Sequence, residues 1–131
     1  MMITSARVYV PAKDFAESQR FYRALGFTLT SGWGGTVDCT LGAMTFRLQD
    51  YYVADWANNF MFVLGVDDAQ AWYERAAALK AEFATIRVKP PEAVEDERDG
   101  SADLVTHVVD PSGVLLVLVQ DGAVRPASAS P

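Results

Sequence analysis

The chain has 131 residues, half of them apolar, enough for one domain with a full core. Its formal charge of −6 and pI near 4.6 exclude non-specific nucleic-acid binding, which needs clustered Lys and Arg against phosphates. The single cysteine, Cys39, cannot close an internal disulfide, no apolar run approaches the ~20 residues of a membrane span, and the start MMITSARVYV lacks a basic region followed by an apolar stretch, so a cytoplasmic protein without a signal peptide is expected.

Met2 to Val10 is rich in β-branched and aromatic residues and predicts a first strand, with Ala6, Val8 and Val10 on one face and Ser5, Arg7 and Tyr9 on the other. Pro11 ends it. Asp14-x-x-Glu17 reads as a capping-box-like helix start, and Ser18, Phe21, Tyr22 and Leu25 then share one helical face up to Gly26, which suits a left-handed C-terminal cap. A strand is predicted over 27–31. The cluster Gly32, Gly34 and Gly35 makes the next turn and does not lead into a helix, which argues against a phosphate-cradling loop. Residues 36–41 and 44–49 read as a hairpin about Gly42-Ala43, with Met44, Phe46 and Leu48 opposite Thr45, Arg47 and Gln49.

DYYVADWANN at 50–59 reads as a polar and aromatic connection. Residues 60–66 form a strongly apolar strand, Asp67-x-x-Gln70 is the expected cap of a second helix, and Ala69, Trp72, Ala76, Leu79 and Phe83 keep helical spacing. A short strand is expected at 85–88. The prolines Pro90-Pro91 and the acids from Glu92 to Asp99 make 89–103 a mobile loop on this reading. Two apolar strands at 104–109 and 114–119 flank the turn Asp110-Pro111-Ser112-Gly113. The small, polar tail 121–131 is expected to fray.

The stretch ARVYVPAKDFAESQRFYRALG at 6–26 has a second version in FMFVLGVDDAQAWYERAAALK at 60–80. Superposing Asp14 on Asp68 places Val8 over Phe62 and Val10 over Leu64. Two copies of one supersecondary unit fit this period, and a solenoid does not. The order is β-α-β-β-β twice, an α+β arrangement. One domain over 1–120 is expected, built of modules over about 1–50 and 59–120. In each module a helix covers one strand face, and the other faces carry Arg7, Arg47 and Gln49.

Few side chains suggest chemistry. His107, the only histidine, is read as a pocket-wall or core residue in an apolar strand, with a general base or ligand as the sharper alternative. Cys39 has no basic neighbour in sequence and reads as a small buried hydrophobe. Trp33, Tyr51, Tyr52 and Trp56 lie in turns or connections, where ligand stacking, lid packing and a dimer contact are equally open.

The stretches VPAKDFAESQRFYRALGF at 10–27, VDDAQAWYER at 66–75 and VVDPSGVLLVL at 108–118 resemble the vicinal oxygen chelate superfamily of glyoxalases, bleomycin-resistance proteins and extradiol dioxygenases. The resemblance spans about residues 3–120 and specifies fold better than activity. It implies two β-α-β-β-β modules forming a curved, mixed-sheet cup, a homodimer, and a ligand in the cup. It also implies four metal-ligand positions, which fall on Arg7, Arg47 (with Gln49 one step away), Met61 and Val117. None offers a donor suited to Zn, Mg, Ni or Fe, because guanidinium has no available lone pair, Val has no donor atom, and a thioether suits soft ions only.

No metal and no other cofactor is therefore expected. The leading expectation is a metal-independent binding protein that sequesters a drug or metabolite, with Arg7, Tyr9, Arg47, Gln49, Tyr51 and Trp56 as ligand contacts and neither nucleic acid nor membrane as a partner. The alternative is a lyase, isomerase or dioxygenase using a displaced metal or His107 acid–base chemistry. The resemblance would aim Arg7 and Arg47 into one cup, where something negative must separate them: an internal acid such as Asp38 or Asp50, or an anionic ligand.

Overall fold

The computed structural model describes residues 1–124. They divide into two compact units: residues 1–60 with the Asp110–Val114 turn, and residues 61–109 with the chain from Leu115. The first unit contains β1 (Tyr9–Pro11), α1 (Phe15–Leu25), β2 (Thr28–Ser31), β3 (Val37–Leu41), β4 (Met44–Gln49) and α2 (Ala54–Asn59). The second contains β5 (Met61–Gly65), α3 (Ala69–Ala78), β6 (Arg87–Glu95), β7 (Ala102–Val109) and β8 (Leu115–Val124). The sheet orders are β1-β4-β3-β2 and β5-β8-β7-β6, each with one parallel pair and two antiparallel ones. The fold is α+β with β-α-β-β-β twice, as the repeat implies.

In the first unit the Asp14 carboxylate accepts from the Glu17 N–H at 3.0 Å and starts α1. The helix buries Ser18, Phe21, Tyr22 and Leu25, the face read from the sequence. Tyr22 is the centre of an aromatic cluster. Its ring meets Phe21, Phe27 and Phe46 edge-on, with centroids 5.1, 5.6 and 4.9 Å away. Its hydroxyl donates to Asp110 Oδ2 at 2.6 Å. Asp110 Oδ1 accepts from the Ser112 and Val114 N–H groups, and the Ser112 hydroxyl lies 3.2 Å from that of Ser18. Burial pushes the Asp110 carboxyl above its ordinary pKa and Tyr22 likewise, so this pair is a structural clamp. Gly113 turns the chain at φ +96°, and a Cβ there would meet Asn58 Oδ1 at 2.7 Å.

In the second unit α3 packs on β6, β7 and β8. Val108, Leu116 and Leu118 are buried together with Ala69, Ala76, Phe83 and Ile86. Asp68, not Asp67, caps α3 by accepting from the Ala71 N–H at 3.0 Å, and Gln120 Oε1 accepts from the Ala69 N–H. The Asp68 match to Asp14 in the repeat is thus the correct register. Trp72, expected on the buried face, is only half-buried, and the Arg75 guanidinium lies over its ring at 5.7 Å.

Four further expectations are corrected. The first strand is limited to Tyr9–Pro11, because the residues before it are exposed and bury no apolar face that would hold them. The 50–59 connection contains α2, a helix with no side-chain cap to announce it. The loop expected at 89–103 is mostly sheet: β6 and β7 pair on both sides of Pro90-Pro91, with a register shift between Lys89 and Glu92. The prolines are tolerated because β6 is an edge strand and the shift is a bulge. There the buried Thr106 hydroxyl donates to the Lys89 carbonyl. Finally, β8 continues to Val124, into the stretch expected to fray, while 125–131 lie outside the described residues. Among the described residues no helix is long and apolar enough to cross a membrane.

Candidate functional site

Strand alternation puts Tyr9 and Pro11 on one face of β1, and Arg47 and Gln49 on the matching face of β4. The parallel register fixes this by pairing Tyr9 with Arg47 and Pro11 with Gln49. The antiparallel register places Asp38 of β3 beside Arg47 on the other side. Tyr9, Arg47 and Asp38 therefore form a row across three strands. Arg47 donates to Asp38 through Nε at 2.8 Å and Nη2 at 3.1 Å, a bidentate fork. The Arg47 guanidinium also lies over the Tyr9 ring at 5.8 Å.

Arg7 joins more loosely. Its Nε is 3.7 Å from Asp38 Oδ2, and its Nη1 donates to the Ala6 carbonyl at 3.0 Å. The side chains are 38% exposed for Arg7, 18% for Arg47 and 14% for Asp38. The hydrogen bonds from Arg47 hold the Asp38 carboxyl below its ordinary pKa, and the same bonds, followed by one to Tyr9, hold the Arg47 guanidinium above its own. Two guanidiniums share one carboxylate, which leaves one positive charge unbalanced. Asp50, the other acid considered, forms no ion pair among the described residues. Gly32 closes over the pair: a Cβ there would stand 3.1 Å from Asp38 Oδ1 and 3.2 Å from Arg47 Nε, and would collide with Thr36 Oγ1.

The structure thus brings Arg7, Tyr9 and Arg47 together through Asp38, with Gln49 next along the same face of β4. Tyr51 follows, exposed, its carbonyl accepting from the Ala12 N–H at 3.1 Å. Trp56 lies exposed on α2, and no hydrogen bond, ion pair or ring contact ties it to the cluster among the described residues. Cys39 is buried, and that burial, with Asp38 nearby, pushes its thiol up to about 12, which removes it as a nucleophile.

The second unit's equivalent row is Val63, Val117 and His107, set by the pairs Val63 with Val117 and His107 with Val117. Met61 precedes it on β5 and is exposed. His107 is half-buried and lines a cavity of about 320 Å³ with Arg87, Val88, Lys89, Val109 and Leu115. It is a pocket-wall residue. Arg87 falls within the strand expected at 85–88 and Lys89 just beyond it, and neither stands out in sequence as a site residue. Their alternation about Val88 was the available signal.

The donor set does not fit a metal. Arg7 and Arg47 are guanidiniums tied to Asp38, and Met61 and Val117 offer a thioether and no donor. Among the described residues no group of three or more His, Cys, Asp or Glu side chains is placed to hold an ion.

Two β-α-β-β-β modules, each with a helix on one sheet face, define the fold class, which specifies architecture rather than activity. A model of the Glyoxalase/Bleomycin resistance protein/Dioxygenase superfamily matches residues 4–118, and the chain belongs to that superfamily. Among solved structures it is similar to a bleomycin resistance determinant encoded on the transposon Tn5, with 24% identity and a TM-score of 0.69 over 90% of this chain and 98% of that one. It is also similar to a bleomycin-binding protein from bleomycin-producing Streptomyces verticillus, complexed with copper(II)-bleomycin, at 18% identity and TM-score 0.67 over 92% and 98%. A lactoylglutathione lyase from Agrobacterium tumefaciens follows at 16% and 0.62 over 92% and 96%. At these identities the likeness is one of fold. Comparison with curated proteins gives no match.

Proposed function

We propose that the protein binds a small, flat molecule without a metal, as a drug- or metabolite-sequestering member of its superfamily. The observation that carries this reading is the Arg47–Asp38 fork with Arg7 beside it, which fills with a guanidinium pair the positions where the superfamily's enzymes are expected to place ligating atoms. Tyr9, Tyr51 and Trp56 would supply aromatic burial, and Gln49 a polar contact. Arg47 is already committed to Asp38, so Arg7, more loosely held and more exposed, is the group that would orient an anionic end. Structural neighbours that bind bleomycin favour a small-molecule-binding role.

We also infer a homodimer, because Met61 and Val63 expose apolar surface on β5, 60% and 65% accessible, that a second copy would cover. Light scattering should return a dimer at micromolar concentration, and monomer alone would count against it. The binding reading is tested by soaking crystals in a metabolite and antibiotic panel. Density against Tyr9 and Arg7 supports it, and turnover that requires added metal argues for an enzyme instead.

A further inference from the structure

The outer face of α3 has no place in the proposed function. There Asp67, Asp68, Ala71, Trp72 and Arg75 surround a concavity of about 270 Å³. Trp72 is half-buried and the other four are exposed. Residues 68, 71, 72 and 75 follow one stripe of the helix. The stripe begins at two carboxylates, passes a small residue beside an indole, and ends at the Arg75 guanidinium, which lies over the Trp72 ring at 5.7 Å. Asp67 forms no ion pair among the described residues. At a rise of roughly 1.5 Å per residue, the acidic and basic ends stand about 10 Å apart along the axis.

This order is self-complementary. A second α3 laid antiparallel to the first, about an axis midway between Ala71 and Trp72, brings each acidic end level with the other helix's Arg75. The two Ala71 side chains let the helices approach closely, and their dipoles run in opposite directions. We propose that the outer face of α3 is an interface with a second copy of this chain, in which each Arg75 guanidinium enters the acidic end of the other copy's concavity. The charge order selects a second copy as the occupant, because an antiparallel copy presents the reversed stripe that this surface requires. Stacking of Arg75 on Trp72 alone would explain neither the hollow at Ala71 nor the unpaired Asp67 at its rim. Each copy carries a charge of −6, but that repulsion is screened beyond roughly 8 Å at physiological salt, whereas the cross-pairs are in direct contact.

The contact does not depend on the β5 surface. Val63 pairs with Val117, on the sheet face opposite the buried Leu116 and Leu118 that α3 covers. Both surfaces can therefore be occupied at once. A single helix crossing is a small interface, so this association step belongs above micromolar concentration.

The test is sedimentation of the whole protein over a concentration series, for the wild type, Asp67→Lys, Arg75→Glu and an equimolar mixture of the two variants. The wild-type mass should double between micromolar and millimolar concentration. Each variant alone opposes like charges at both ends of the crossing and should weaken that step at least about tenfold. In the mixture the two substituted positions face each other with opposite charge, and so do the two native ones. Association should then return to within about threefold of the wild type. A misfolded variant cannot be rescued by mixing, so recovery excludes a folding defect. Val63→Lys should remove the β5 dimer and leave this doubling equally sensitive to the charge variants, which separates the two contacts. A wild-type mass constant up to millimolar concentration, single variants that associate like the wild type, or a mixture no better than its components would each overturn the proposal and leave the concavity to an occupant other than this chain.

Discussion

The two modules are copies in topology and opposites in chemistry. Tyr9 and Val63 stand at the same distance ahead of the capping Asp14 and Asp68, and their strand partners are Arg47 and Val117. One strand further in, Asp38 answers to His107. The same three-strand row is therefore a bidentate ion pair stacked on a tyrosine in one module, and two valines beside a histidine in the other. Backbone pairing and the helix-facing core hold the fold in both. The helix-free face differs between the modules, and variation of this kind lets one scaffold carry different functions.

The largest break in this comparison concerns the turns between the last two strands of each module. Gly42-Ala43 is a bare two-residue link, whereas Asp110 gathers the Tyr22 hydroxyl and the Ser112 and Val114 N–H groups. Asp110→Ala leaves these buried donors unpaired and should cost about 3 kcal/mol in denaturant unfolding. A loss under about 1 kcal/mol would mean that the clamp is not structural.

A matched glycine pair gives the next contrast. Gly32→Ala pushes a methyl group into Thr36 Oγ1 and the Arg47–Asp38 pair, and should destabilise by about 1–2 kcal/mol. Gly65 in β5 has ordinary backbone angles and open space around its Cα. Gly65→Ala should therefore be neutral or stabilise by about 0.5 kcal/mol. Equal melting temperatures for the two variants would contradict the picture of a crowded first face and an open second one.

Arg47→Ala removes the fork and leaves Asp38 the looser contact with Arg7. The pair is partly exposed, so only a small loss of stability is expected. Double substitution with Asp38→Ala should show that the two effects are coupled, and strict additivity would deny the pair any role.

The smallest effect is a titration. Asp38, hydrogen-bonded to Arg47, has a lowered carboxyl pKa, so its contribution to stability is present above the ordinary 3.8 and is lost as pH falls through the lowered value. Asp110 is raised by burial, so its contribution is present in acid and is lost as pH rises through the raised value. Carboxyl ¹³C titrations should place the two midpoints on opposite sides of 3.8, and a reversed order would refute both assignments.

Where local chemistry decided the outcome, the sequence was legible. Asp14, the Ser18–Leu25 face, the Gly42-Ala43 hairpin and the Asp110 turn all declare themselves within a few residues. The misread regions depended on partners distant in sequence. Pro90-Pro91 breaks a strand only if both sides need pairing, and β6 is an edge whose bulge meets Thr106 from β7. The short α2 has no capping side chain and could not be seen in DYYVADWANN. On the helix-free face, the placement of Tyr9 beside Arg47, with Gln49 next along β4, followed from alternation. The choice of Asp38 over Asp50 needed the β3–β4 register, and the pairing of Lys89 with His107 needed β6 to run on past 88.

The central claim is binding without metal, and the most direct measurement is calorimetry on chelator-treated protein. Matched anionic and cationic aromatic ligands should be titrated into the wild type and Tyr9→Ala. Saturable binding in chelator, weakened about tenfold by loss of the Tyr9 ring, is the predicted result. Binding that appears only after stoichiometric Zn, Ni, Fe or Mn is restored, and that Tyr9→Ala leaves unchanged, would contradict it.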